Sequence, residues 1–306
     1  MSSGFSFCNI LNTTTGFRGA RSPGAGWRPG IIAALLVLAG LPVGAHPDAS
    51  HKLEEIDRHL ADQPGDPALL LTRAEILLER SDVSGARASA AAAAVADPRI
   101  RDLGYVRARI LDAAGDRAGA LALLRKALQD DPRHLRGQRL LSAWELQAGN
   151  LDDAIAAAGL ALESDGVLAP DDFTTCARLL VNRGQPGDDR RALAVLDRAI
   201  TRFGSLTGLQ YMACDIEVSR QHHDAALARI DALVARYRPR VEFELRRSDI
   251  LSRAGRRHEA SRACDRALAL LDALPPERRA TPAFRDTRAR IAALRDDFAA
   301  PSSTSS

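Results

Sequence analysis

The sequence predicts an all-α fold, an α-solenoid of stacked helical hairpins, and three observations carry that prediction. Ala86, Ala120, Ala154, Ala192, Ala226 and Ala260 recur at spacings of 34, 34, 38, 34 and 34 residues. Each of these alanines lies just after a turn signal, near the start of an amphipathic run. The chain is 46% hydrophobic but only 4% aromatic, so its core is built from Ala, Leu, Ile and Val. Small side chains at a fixed place in each period suit thin stacked layers, and they exclude a closed enzyme core over that stretch.

The first element is a leader over residues 1–45. Arg18, Arg21 and Arg28 precede an apolar run over residues 31–41, and Val43, Gly44 and Ala45 supply the small residues of a cleavage site. The run is shorter than the roughly 20 apolar residues of a membrane span. The expectation is an export signal cleaved after Ala45, with no stable membrane span afterwards and a periplasmic or secreted location. An uncleaved anchor is the alternative. Three of the 42 basic residues lie in this leader, and the remaining 39 balance 39 acidic residues. A net-neutral body does not neutralise phosphates along a nucleic acid, so no nucleic-acid partner is expected.

The solenoid is expected over residues 46–298. Leu53, Ile56 and Leu60, followed by Pro64, fit a capping helix over residues 51–63. Six hairpins then start at Pro67, Arg101, Leu135, near Pro170, Thr207 and Val241. The fourth carries extra residues, placed in its internal turn over residues 184–189. Gly115, Gly149, Gly184 and Gly255 fall where the first helix of a hairpin ends, and glycine supplies the left-handed conformation that ends it. Asp82, Asp116 and Asn150 follow and can cap the second helix. Asp97-Pro98 and Asp131-Pro132 stop that helix. Pro275-Pro276 breaks the chain, and Thr281-Pro282 starts a last helix. Its stripe of Phe284, Ile291, Leu294 and Phe298 makes it a C-terminal cap. Residues 299–306 read as a disordered tail.

In register, the eighth positions hold Ala74, Ala108, Ser142, Ala177, Cys214 and Ser248. The twentieth hold the six alanines. The twenty-seventh hold Ala93, Ala127, Ala161, Ala199, Leu233 and Ala267. Over about residues 52–272 this pattern resembles the tetratricopeptide repeat (TPR). The resemblance implies a right-handed superhelix with the eighth and twentieth positions at the crossing of each hairpin. A bulky side chain at that crossing would strain the packing by roughly 1–3 kcal/mol. The resemblance also implies that the first helices line a concave groove. Its positions map onto Tyr105, Arg109, Arg139, Arg178, Tyr211 and Arg246, residue types that often anchor interfaces. Glu75, Asp112, Asp215 and Asp249 share that face, so a charge-balanced, solvated surface is the competing reading. The family's clamp for terminal carboxylates needs a run of basic and Asn positions that no three repeats here supply.

No GxSxG, HExxH or phosphate-cradling glycine loop occurs, so no catalytic residue, no metal and no cofactor are expected. Cys176, Cys214 and Cys264 face the core as small hydrophobes. Cys176 and Cys214 lie on neighbouring first helices, which leaves a bridge between them open. His222 and His223 sit in a turn, where capping and packing account for them. The functional expectation is an exported, non-enzymatic scaffold or adaptor that holds a peptide or segment of another envelope or secreted protein. The alternatives are an accessory subunit of an exported enzyme and a metal- or small-ligand-binding protein using His46 as its mature N-terminus.

Overall fold

The computed structural model describes residues 47–300. The leader, its cleavage point after Ala45, His46 and the tail from Pro301 lie outside the described residues. Those residues form helices joined by short connections, with no strand among them. A capping helix α1 (Pro47–Asp62) precedes six hairpins. These are α2 (Pro67–Glu79) with α3 (Val83–Ala96), α4 (Leu103–Ala113) with α5 (Arg117–Asp130), and α6 (Leu135–Gln147) with α7 (Leu151–Leu162). They continue as α8 (Pro170–Arg183) with α9 (Asp188–Phe203), α10 (Thr207–Ser219) with α11 (His223–Tyr237), and α12 (Val241–Arg253) with α13 (Arg257–Asp272). A short α14 (Pro276–Arg279), which the sequence reading lacked, leads into α15 (Pro282–Ala299). Each helix from α1 to α12 packs on the next in the chain, α15 returns onto α13, and first helices of successive hairpins also touch, as α2 does α4 and α8 does α10.

The eighth and twentieth positions meet as the period requires. Ala74, Ala86, Ala108, Ala120, Ala177, Ala192, Cys214, Ala226 and Ala260 are fully buried. In the third hairpin the Ser142 hydroxyl donates to the Ala154 carbonyl at 2.8 Å. In the fifth, the Cys214 thiol points at the Ala226 carbonyl at 3.7 Å. The two helices approach so closely that the eighth side chain reaches the facing backbone, and nothing larger fits. The core is a row of clusters rather than one nucleus. Leu71, Val106 and Ile110 belong to the first, Leu124 and Trp144 to the next, Phe173, Leu180 and Leu196 to the third, and Ile230, Phe243 and Ile250 to the last. Such a stack is stabilised layer by layer. At its end α15 lays Ile291 and Phe298 against α13, and Thr281 caps it by accepting from the Phe284 N–H at 3.2 Å.

Four local expectations need correction. The extra residues of the fourth hairpin do not form a loop. Its turn between α8 and α9 is only one residue longer than the others, and the rest lengthen α8, start α9 earlier and extend the connection before Pro170. Asp188 fastens this region: buried at the start of α9, it accepts two 2.7–2.8 Å hydrogen bonds from Arg183 and one from the Gln185 N–H. Asn150 does not cap α7 with its side chain. Its Nδ2 instead donates at 2.9 Å to Glu145, a carboxylate 1% exposed that needs donors more than the helix end does. Helix α4 begins two residues later than the repeat frame, because the Asp102 carboxylate is held by His134 and Arg136 and leaves the α4 end uncapped. Helix α15 reaches Ala299, one residue beyond the expected end of the solenoid.

Candidate functional site

The six residues expected in the groove all lie on first helices, α4, α6, α8, α10 and α12. The structure sorts them by what they touch. Tyr105 is half-buried under two guanidiniums, Arg136 at 4.5 Å and Arg109 at 5.5 Å from its ring centroid. Its ring also lies 5.8 Å from His134. Arg109 approaches Glu75 of α2 at 3.9 Å. Arg139 forks onto Asp172 of α8, with Nε at 2.6 Å and Nη2 at 2.7 Å from its two oxygens. Asp172 also accepts from the Ala169 N–H at 2.7 Å. Burial opposes ionisation of Asp172, but the guanidinium and the backbone donor outweigh it and hold the carboxyl below its ordinary range. Arg246 reaches Asp215 of α10 and covers Tyr211, whose ring stands edge-on to Phe243. Burial, with the Glu242 carboxylate nearby, pushes the Tyr211 hydroxyl up to about 12.

Five of the six are therefore joined to a neighbouring repeat or to each other. Arg178 differs. It is exposed on α8 and carries neither a hydrogen bond nor an ion pair among the described residues.

Beside it lies a hollow of about 500 Å³ between α6, α7 and α8. Ala143, Ala158, Ala161, Ala169 and Leu179 line much of it, with Arg139, Asp171, Asp172 and Thr175 among its polar lining. Leu146 stands in its wall 46% exposed, and Val181, at the matching position of the next repeat, is 41% exposed. The cause is local sequence. The ninth position holds Ala143 here, where the other repeats carry Glu75, Arg109, Arg178, Asp215 and Asp249, so less side chain fills the layer at this point. A second cavity of about 620 Å³ lies between α2, the connection before α4 and the start of α6, bounded by Glu75, Asp102, His134 and Arg136. Its charged groups are already engaged with one another.

Two features escaped the sequence reading. His134 is buried at the start of α6, where Nδ1 accepts from the Gly137 N–H at 2.9 Å. The ring proton then sits on Nε2, which donates to Asp102 at 2.5 Å. That bond, with Arg136 alongside, holds the Asp102 carboxyl below its ordinary range. A Cβ on Gly137 would lie 2.8 Å from His134 Nδ1, so the cap needs glycine there. The second feature is a repeated buried carboxylate. Glu145 and Glu217 occupy the eleventh position of the third and fifth repeats, each met by the residue five further on, Asn150 or His222. Arg125 and Arg229 complete them from neighbouring second helices. Glutamate at the eleventh position followed by a polar residue at the sixteenth was the available signal.

No protein-family model and no curated protein sequence matches the chain. Solved structures do resemble it. The C-terminal part of a TPR repeat-containing protein from Cytophaga hutchinsonii superposes with a TM-score of 0.52 at 12% identity, over 78% of this chain and 94% of that one. YrrB, described as a TPR protein with an unusual peptide-binding site, gives a TM-score of 0.46 at 18% identity over 60% and 93% of the two chains. The Pseudomonas aeruginosa pilF protein gives 0.44 at 13% identity over 78% and 99%. The likeness to the Cytophaga hutchinsonii protein shows that the fold is an all-helical TPR-type solenoid.

Proposed function

We propose that this chain is an exported, non-enzymatic scaffold whose first-helix face holds a peptide or segment of another envelope or secreted protein. One observation supports the reading above the rest. On a face whose other cavity is lined by charges already paired with one another, the stretch over α6 and α8 leaves an apolar hollow open and an unpaired arginine beside it. Pockets of a few hundred Å³ with few polar groups are where ligands and anchoring side chains bind. Leu146 and Val181 extend the apolar surface along the face. Among the described residues no helix is long and apolar enough to cross a membrane. Export rests on the leader, with its arginines, its short apolar run and its small residues before His46.

The test is paired capture from an envelope extract with the mature chain and with Leu146→Glu. Leu146 is half-exposed, so the substitution leaves the stack folded. A partner retained by the native chain and lost by the variant supports the reading, and equal retention moves the binding surface elsewhere. Mass spectrometry of the native N-terminus checks export, with cleavage after Ala45 as the expected result.

A further inference from the structure

We infer that the open stretch over α6 and α8 takes an extended peptide carrying a basic residue, an apolar residue and an acidic residue at alternate positions. The inference rests on the groove reading above and adds the chemistry of the occupant.

Helix α8 carries both unused charges. Asp171 opens it, exposed and without an ion pair among the described residues, and Arg178 follows seven residues later. Seven residues return a helix to nearly the same face about 10 Å further along its axis. An anion and a cation therefore stand on one line, facing out of the stack. Between them, at the intermediate turn, Thr175 belongs to the wall of the apolar hollow, opposite Ala143 and Leu146 of α6. The neighbouring charges are spoken for. Arg139 and Asp172 neutralise each other, and Asp215 on the next first helix is held by Arg246. What remains for a ligand is negative at one end, apolar in the middle and positive at the other.

An extended chain points alternate side chains the same way, and residues four apart on it are separated by about 13 Å. Side chains at the first, third and fifth places of such a segment span Asp171, the hollow and Arg178. Exposed polar groups favour an extended occupant over a helical one. Thr175 and Asn182 lie on this face of α8 with no hydrogen bond to the rest of the described residues. An extended peptide brings unpaired backbone N–H and C=O groups that such side chains can satisfy. A helix has satisfied its own and gains nothing from them.

The experiment is selection of a random displayed-peptide library on the purified chain, repeated on Arg178→Glu, Asp171→Lys and Leu146→Glu after circular dichroism has shown each to be folded. The enriched native peptide is then synthesised and its affinity measured by fluorescence anisotropy. The expected native consensus holds a base and an acid four places apart with an apolar residue midway, in either chain direction. Arg178→Glu should weaken the peptide roughly tenfold and exchange the acid for a base in its own selection. Asp171→Lys should exchange the base for an acid. A consensus without the two charges, or one unmoved by either reversal, overturns the inference. If Leu146→Glu still abolishes that binding, the groove reading survives. Enrichment that ignores all three variants, or no enrichment, defeats both.

Discussion

Arg136 on α6 donates from Nη2 to Glu75 on α2 at 2.6 Å, so one ion pair joins the first and third repeats across the whole of the second. The same guanidinium lies over Tyr105 of the intervening repeat and reaches Asp102 at 3.2 Å. Most contacts in the stack join neighbouring layers, and this pair couples three layers at once. A double-mutant cycle of Glu75→Gln and Arg136→Gln in urea should give a coupling of roughly 0.5–1 kcal/mol, since the pair is partly exposed. The coupling should shrink in about 1 M salt. A value indistinguishable from zero at low salt would mean that the pair does not fasten the N-terminal repeats.

His134 performs two tasks with one ring, capping α6 and holding Asp102, and the two can be separated. His134→Ala removes both and should cost roughly 2–3 kcal/mol, a cap plus a charge-assisted hydrogen bond. His134→Asn keeps a side-chain acceptor for the Gly137 N–H and should recover roughly 1 kcal/mol of that loss. Urea midpoints of the two variants decide it. Equal destabilisation would show that the cap contributes little.

The turns inside the hairpins use a left-handed residue, and two repeats lack the glycine that suits it. Gly115, Gly149, Gly184 and Gly255 have φ between 65° and 89°, while Ser81 and Gln221 hold φ of 61° and 63° at the matching sites. A side chain in that region is strained by roughly 1 kcal/mol. Ser81→Gly and Gln221→Gly should each raise stability by about 0.5 kcal/mol after the entropy that glycine adds to the unfolded chain is subtracted. Thermal midpoints read the effect, and a drop in both would contradict it.

These particulars show what the sequence disclosed and why it stopped. Ala86 to Ala260 mark crossings where only a small side chain fits, so sterics write the hairpins directly into the sequence. The glycine turns and Asp-Pro stops are equally local. The open stretch is not local. Arg139 and Arg178 occupy the same kind of position on adjacent first helices, yet one is spent on Asp172 and the other is free. That difference depends on a carboxylate 33 residues away. For the same reason nothing near Asp102 in the sequence announces that it serves as the partner of His134, 32 residues away. Asn150 reads as a cap and serves Glu145, because the burial of a carboxylate becomes visible only when the layers are stacked.

The cysteines carry a reactivity prediction. Cys176, Cys214 and Cys264 are free and buried, so the bridge left open between the first two is not formed. Burial pushes the Cys214 thiol up to about 11 and raises the other two above their ordinary value of 9.0. Little thiolate is present near neutral pH, and access requires opening of the stack. Alkylation of these three in the native protein at pH 7.5 should be far slower than in about 6 M guanidinium, as peptide mapping would show. Rapid native labelling of Cys214 would place it at a surface.

Acid should loosen the fourth hairpin through Asp188. Hydrogen bonds from Arg183, opposed by burial and assisted by the Gln185 N–H, hold its carboxyl at about 2, below the ordinary value of 3.8. A carboxyl depressed in the folded state adds stability that is fully present above the unfolded value and is lost as the pH falls through the folded one. The window for this group therefore runs from about pH 4 down to about pH 2. Arg183 also reaches Asp152 of α7 at 2.7 Å, so protonating Asp188 weakens the fastening of the α8–α9 turn to the preceding repeat. Asp188→Asn removes the titrating group while keeping its shape. The variant should be less stable than the native chain at pH 7 and should lose less of its remaining stability between pH 4 and pH 2. Urea unfolding at several pH values, followed by near-ultraviolet circular dichroism, measures both. A variant whose acid dependence matches the native chain would assign the acid response to other carboxylates.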